Sequence, residues 1–296
     1  MSRSINAPWQ SLILADQAMG LHSVPSVAAP PRQLASPTAD VMVEAPPRTA
    51  AADAPASTPA VAVIEPGDAP GSLEATHSLG IAASHAMQWG VVRPLPVSAA
   101  ERAAALDEIK VRHDAKCPLC STIKTYTQTV AGEGNPCAEL FFVGEAPGEQ
   151  EDLTGRPFVG RAGAKLDEMI KAMGLQRDQV FIANVLKSRP PNNRTPTPQE
   201  VAQCGPFLLE QLVVVRPKVI VTLGGPATKL LLGLEEGITR LRGIWASWHP
   251  PAGVPMEPIP VMPTFHPAYL LRNYTVETRA KVWSDLKMAM SRLTRR

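Results

Sequence analysis

Leu140-Phe141-Phe142-Val143-Gly144-Glu145-Ala146-Pro147-Gly148 is an unbroken apolar run that stops in a loop punctuated by glycine and proline. Such a run reads as a buried strand with a loop at its carboxyl end. Val180–Val185, Lys218–Leu223 and Ile259–Met262 are three further strand candidates. Helical patterns separate them. Ser98-Ala99-Ala100-Glu101 is a capping box that opens a helix running towards Arg112, and Thr197-Pro198-Gln199-Glu200 is another, opening a helix that extends towards Val215. Ala162–Met173 is closed by Gly174, and Pro226–Leu232 and Val276–Leu293 complete the set. This alternation predicts an α/β protein, three layers α/β/α, with a central, mostly parallel four-stranded sheet. In an open sheet of that kind, loops leaving the carboxyl ends of strands build the ligand crevice. The loop 144–148 and the stretch His266-Pro267-Ala268-Tyr269-Leu270-Leu271-Arg272, which follows the last strand, should therefore face one site.

The composition of the 296 residues is uneven along the chain. The first 100 carry 4 Lys+Arg against 7 Asp+Glu, and the remainder 25 against 20. The modest positive excess behind suits a nucleic-acid surface but does not demand one. From Ser23 to Ser72 the chain is dominated by Ala, Pro, Ser and Thr and has no aromatic, too little apolar surface to offset ordering entropy. Residues 1–97 are thus expected to be a disordered Ala/Pro-rich extension, and 98–296 the folded domain. Trp9, Leu12, Ile13, Met19 and Leu21 could form a short amphipathic helix that binds a protein partner, or simply a fraying terminus. The apolar run Leu12–Ala15 ends at Asp16, so no signal peptide is expected, and no apolar stretch approaches the roughly 18 residues that a membrane span needs. Four cysteines, Cys117, Cys120, Cys137 and Cys204, are too sparse for a secreted disulfide framework. Cys117-Pro118-Leu119-Cys120 instead has metal or redox spacing, and a cytoplasmic location is expected.

Taken in order, Cys117-x-x-Cys120, Gly144-Glu145-Ala146-Pro147-Gly148, Gly155-Arg156-Pro157-Phe158-Val159-Gly160-Arg161, Asn184 and His266–Arg272 resemble the iron–sulfur (family-4) uracil-DNA glycosylases across residues 105–293. The resemblance implies an enzyme that hydrolyses the N-glycosidic bond of deoxyuridine in DNA, releasing uracil without cutting the strand. Such an enzyme flips the nucleotide out and must stabilise charge as the bond breaks. Glu145 would position the water, although many related enzymes carry Asp where this chain has Ala146. His266 would donate to uracil O2, Phe158 would stack on the base, and Asn184 would match O4 and N3–H. Glu151 corresponds to the residue near the C5 edge that excludes the thymine methyl. Leu270 is the expected wedge into the base stack, with Leu271 the competing choice, while Tyr269 and Arg272 would touch the DNA backbone. The protein would act on uracil-containing DNA as a monomer.

The same resemblance implies a [4Fe–4S] cluster on four cysteines. Cys117, Cys120 and Cys204 match three, but the remaining position is Ser188, a poor iron ligand. Either Ser188 or the spare Cys137 is left as the fourth ligand, with zinc on the three cysteines as the alternative. A rival reading is a catalytically weakened, glycosylase-like DNA-binding module lacking an intact cluster. A phosphate-binding enzyme is the weaker rival, because Gly-Glu-Ala-Pro-Gly lacks the Lys-Ser/Thr of a P-loop.

Overall fold

Every central strand of this protein is apolar on both faces because helices cover both. In the computed structural model, which describes residues 95–122 and 125–294, a six-stranded sheet runs in the order β1-β3-β2-β4-β6-β5. The strands are β1 (Glu133–Gly134), β2 (Leu140–Gly144), β3 (Phe181–Asn184), β4 (Val219–Leu223), β5 (Ala246–Trp248) and β6 (Ile259–Thr264). The four expected strands form the parallel centre, and the two short edge strands, both antiparallel, were not expected. At two and three residues these edges carry too little periodicity to be seen in sequence.

The helices are α1 (Ala99–Lys116), α2 (Pro118–Thr122), α3 (Glu149–Thr154), α4 (Arg161–Ala172), α5 (Pro198–Val215), α6 (Gly225–Leu232), α7 (Ile238–Leu241), α8 (Pro267–Arg272) and α9 (Val276–Leu293). Both capping boxes form: Ser98 Oγ and Thr197 Oγ1 accept from the backbone N–H of Glu101 and Glu200, whose carboxylates accept from the cap N–H groups in return. Strand periodicity then sorts the core. Phe141, Val143, Phe181, Ala183, Ile220 and Val261 pack with Leu208 and Leu212 of α5 and Leu230 of α6. Their alternates Leu140, Phe142, Ile182, Val221 and Met262 pack with Leu166 and Ile170 of α4 and Leu286 of α9. The three-layer expectation holds, with two more strands than foreseen.

The reading of residues 1–97 as an extension, with its short amphipathic helix, falls outside the described residues up to position 94. Among the described residues, Leu95 packs on the α5 side of the core, and the Pro96 carbonyl accepts from Arg216. Among the described residues no helix is long and apolar enough to cross a membrane.

Candidate functional site

The parallel register sets Gly144 directly beside Asn184 at the carboxyl ends of β2 and β3. A methyl group built on Gly144 would lie 2.2 Å from Asn184 Oδ1 and 2.4 Å from Phe158 Cζ, so only glycine lets these two side chains meet over the strand end. Asn184 is 1% exposed, and its Oδ1 has no hydrogen-bond partner. An orphaned buried acceptor is costly, and at a site it marks where a ligand donor belongs. Behind it, the buried Lys187 Nζ donates to the Asn184 carbonyl at 2.8 Å and to Gln211 Oε1 at 2.7 Å, bracing the backbone that presents the amide. Burial pushes the Lys187 ammonium down to about 7.

Phe158 is held by its surroundings rather than by its own preference. Its φ of 51° is left-handed, a strained choice for an aromatic residue. Arg177 clamps the loop by donating to the Pro157 and Phe158 carbonyls, and Gly163 leaves room for the Phe158 backbone, which a methyl group there would meet at 2.1 Å. Glu151, the expected C5-edge residue, closes the clamp. One carboxylate oxygen accepts from Val159 and Gly160 N–H, both at 2.8 Å, and the other from Gly148 N–H at 3.1 Å. It thus ties the 144–148 loop to the Phe158 loop, a role that sequence reasoning missed along with Arg177.

His266 caps α8 and joins the same niche, its ring centroid 5.7 Å from that of Phe158. Its Nδ1 accepts from Ala268 N–H at 3.1 Å, which leaves the single proton of the neutral ring on Nε2. Burial, helped by the positive charge of Arg272 and opposed by Glu151, pushes the imidazole down to about 4. His266 is therefore a neutral donor at physiological pH. Glu145 is half-buried after β2. Burial pushes its carboxyl above the usual range, against a hydrogen bond with Thr195. That suits a carboxylate that must attract a proton.

The His266–Arg272 stretch presents its side chains unequally. Leu270 is 3% exposed and belongs to the α4/α9 core, whereas Leu271 is half-buried and Tyr269, stacked on Phe265 at 4.7 Å, and Arg272 are exposed. A wedge must be free to leave the protein, and Leu270 could do so only by emptying the core.

A second cluster lies on the α5 side of the sheet. Cys117, Cys120 and Cys204 converge with His113, all buried, with their ligand atoms within 4.8 Å of one another. His113 was missed, although it stands one helical turn before Cys117, a spacing that places both on one helix face. Ser188 Oγ accepts from Cys120 Sγ at 3.2 Å, at the border of the group. Cys137 is exposed in the turn before β2, its N–H bonded to Asn135, and is not part of it. That removes Cys137 from the two fourth-ligand candidates, since chain proximity to β2 does not bring it to the α1–α5 seam. Hydrogen bonds from Cys120 and Cys204 hold the Cys117 thiol well down, whereas burial pushes Cys204 well up. A metal cation is what would let both ionise, so the donor set fits a thiolate-held centre. Hydrogen bonds to Cys117, Cys120 and Asp114 outweigh burial and raise His113 to about 9.

The sequence profile of the uracil DNA glycosylase superfamily matches residues 131–287. A Type-4 uracil-DNA glycosylase of Thermotoga maritima is 47% identical over 187 residues, covering 63% of this chain and 94% of that protein. Those of Sulfurisphaera tokodaii and Archaeoglobus fulgidus are 48% and 44% identical, covering 53% and 62% of this chain and 72% and 90% of their own lengths.

Proposed function

The chain belongs to the uracil-DNA glycosylase superfamily, and we propose that it excises uracil from DNA by hydrolysing the N-glycosidic bond, with the niche around Asn184 holding the flipped base. The observation that carries this reading is the buried, unpartnered Asn184 Oδ1 beside Phe158 and His266. Uracil N3–H supplies the missing donor, and the amide N–H group meets O4; cytosine reverses both polarities. Phe158 stacks on the ring.

As the bond between C1′ and N1 breaks, its electrons move onto the uracil, and the sugar becomes positive. His266 Nε2–H donates to O2, where the negative charge collects, without giving up its proton. Glu145 orients water towards C1′ and takes up its proton as the new C–O bond forms, leaving an abasic site and the uracil anion, which is protonated at N1 by water as Glu145 returns its proton to solvent. No lysine occupies a position of the matched motifs suited to a Schiff base, so the strand should stay intact. Leu271, rather than the core-bound Leu270, fills the gap left in the stack, with Tyr269 and Arg272 on the DNA backbone.

Cys117, Cys120 and Cys204 would hold the [4Fe–4S] cluster of the iron–sulfur (family-4) type, which would supply a cross-link between α1, α2 and α5 rather than chemistry at the base. The reading extends to a cytoplasmic monomer in which residues 1–97 are an appendage with room for a protein partner. Their deletion should leave release from short oligonucleotides intact, and collapse of activity or solubility would refute it. The decisive assay measures free uracil from a deoxyuridine-containing oligonucleotide. Tight binding without release would favour a binding module, and borohydride trapping of a protein–DNA adduct would overturn the simple hydrolysis.

A further inference from the structure

We propose that His113, through Nε2, is the fourth ligand of the iron–sulfur centre, replacing the thiolate that Ser188 lacks; this rests on the family reading of the cluster. Four observations converge on the ring. His113 is 2% exposed, and Nε2 lies 3.3 Å from Cys120 Sγ and 3.6 Å from Cys204 Sγ, inside the donor group. Its other nitrogen, Nδ1, lies 3.0 Å from Asp114 Oδ1, which is itself anchored by Thr129 Oγ1 at 2.7 Å, with Lys110 Nζ at 2.8 Å from Oδ2. A carboxylate behind the non-ligating nitrogen is how proteins fix the tautomer and aim of a metal-binding histidine. The ring plane is set by Phe207, edge-on at 4.8 Å.

Ser188 does not compete well for the position. Its hydroxyl accepts from Cys120 at 3.2 Å and is far less acidic than a thiol, so it serves as a neighbour of the Cys120 sulfur. The backbone N–H of Lys187 donates to Cys204 Sγ at 3.2 Å, a second polar contact to the sulfurs from the same stretch. Exchanging a thiolate for a neutral imidazole makes the centre one unit less negative. The centre should therefore be easier to reduce than an all-cysteine one, as when histidines replace cysteines on an iron of a two-iron cluster.

The test uses full-length protein purified anaerobically as parent, Ser188→Ala, His113→Ala and His113→Cys. Iron, acid-labile sulfide and zinc are counted, and the reduced centre is examined by pulsed electron paramagnetic resonance. Ser188→Ala should keep the parent's iron and sulfide. His113→Ala should lose most of both, and His113→Cys should restore them while lowering the reduction potential. The parent, but not His113→Cys, should show nitrogen coupling from a histidine ligand. Loss of iron from Ser188→Ala with retention in His113→Ala would overturn the assignment, as would a parent lacking nitrogen coupling or one holding zinc without sulfide. Uracil release by the parent is scored separately, so failure of the ligand assignment and failure of the enzyme reading leave different signatures.

Discussion

The niche around Asn184 and the clasp around His113 lie one short stretch of chain apart, and they are built on opposite principles. The niche leaves a buried acceptor unpaired, keeps a half-buried histidine neutral and holds Phe158 in a strained backbone. The clasp instead gathers four donors into mutual contact. Residues 184–188 serve both. Asn184 points into the niche while the Lys187 N–H and Ser188 hydroxyl meet the clasp sulfurs. The lesson is that a site meant to bind and release substrate keeps its polar groups unsatisfied, at a cost in stability, whereas a cross-link saturates them. Activity and stability should accordingly respond to different residues.

The strongest test of that division is Asn184→Asp, which removes the donor for O4. Uracil release should fall by about 10⁴-fold, as when a site built to hydrogen-bond its substrate loses the match. Affinity for undamaged DNA should change little. Equal release by the variant would mean that the base is read elsewhere.

Cys204→Ser is the mirror experiment. It breaks the clasp at α5, so iron content and thermal stability should drop markedly, while the rate per folded molecule stays within about ten-fold of the parent's, because no reacting group is touched. A large loss in that rate with full stability would place the centre in the chemistry.

The two leucines divide the same way on a smaller scale. Leu270→Ala should cost about 2–5 kcal/mol in denaturant unfolding, the usual range for a buried leucine. Leu271→Ala should leave stability unchanged and reduce release from duplex more than from single-stranded DNA. Similar stability losses in both variants would remove Leu271 as the wedge.

A further division concerns pH. Burial raises the Glu145 carboxyl, so the acid limb of kcat/KM should lie above the ordinary carboxylate range, with His266 already neutral there because its folded value is about 4. A raised carboxyl favours folding at low pH and loses that contribution as pH rises through the folded value. Glu145→Gln should therefore abolish the limb together with most activity, and slightly raise the melting temperature at neutral pH. An unchanged limb in the residual activity would assign it to another group.

Much of this molecule is legible in its sequence because the signals are local. The four central strands are short runs apolar on both faces, and Ser98/Glu101 and Thr197/Glu200 announce helix starts within four residues. Gly-Glu-Ala-Pro-Gly and His266–Arg272 declare their place at strand ends for the same reason. The tertiary structure alone decided matters that depend on contacts between distant segments. Arg177, 19 residues from Phe158, fixes the strained loop, and Glu151 turns out to tie two loops together. His113 meets Cys204 across 91 residues, while Cys137, close in sequence to β2, is left in solvent. Leu270 and Leu271 are chemically identical, and only the packing of α8 against the α4/α9 core buries one and frees the other. Residue type and spacing set which groups the chain can offer; the direction each side chain faces is set by close packing, which no single segment contains.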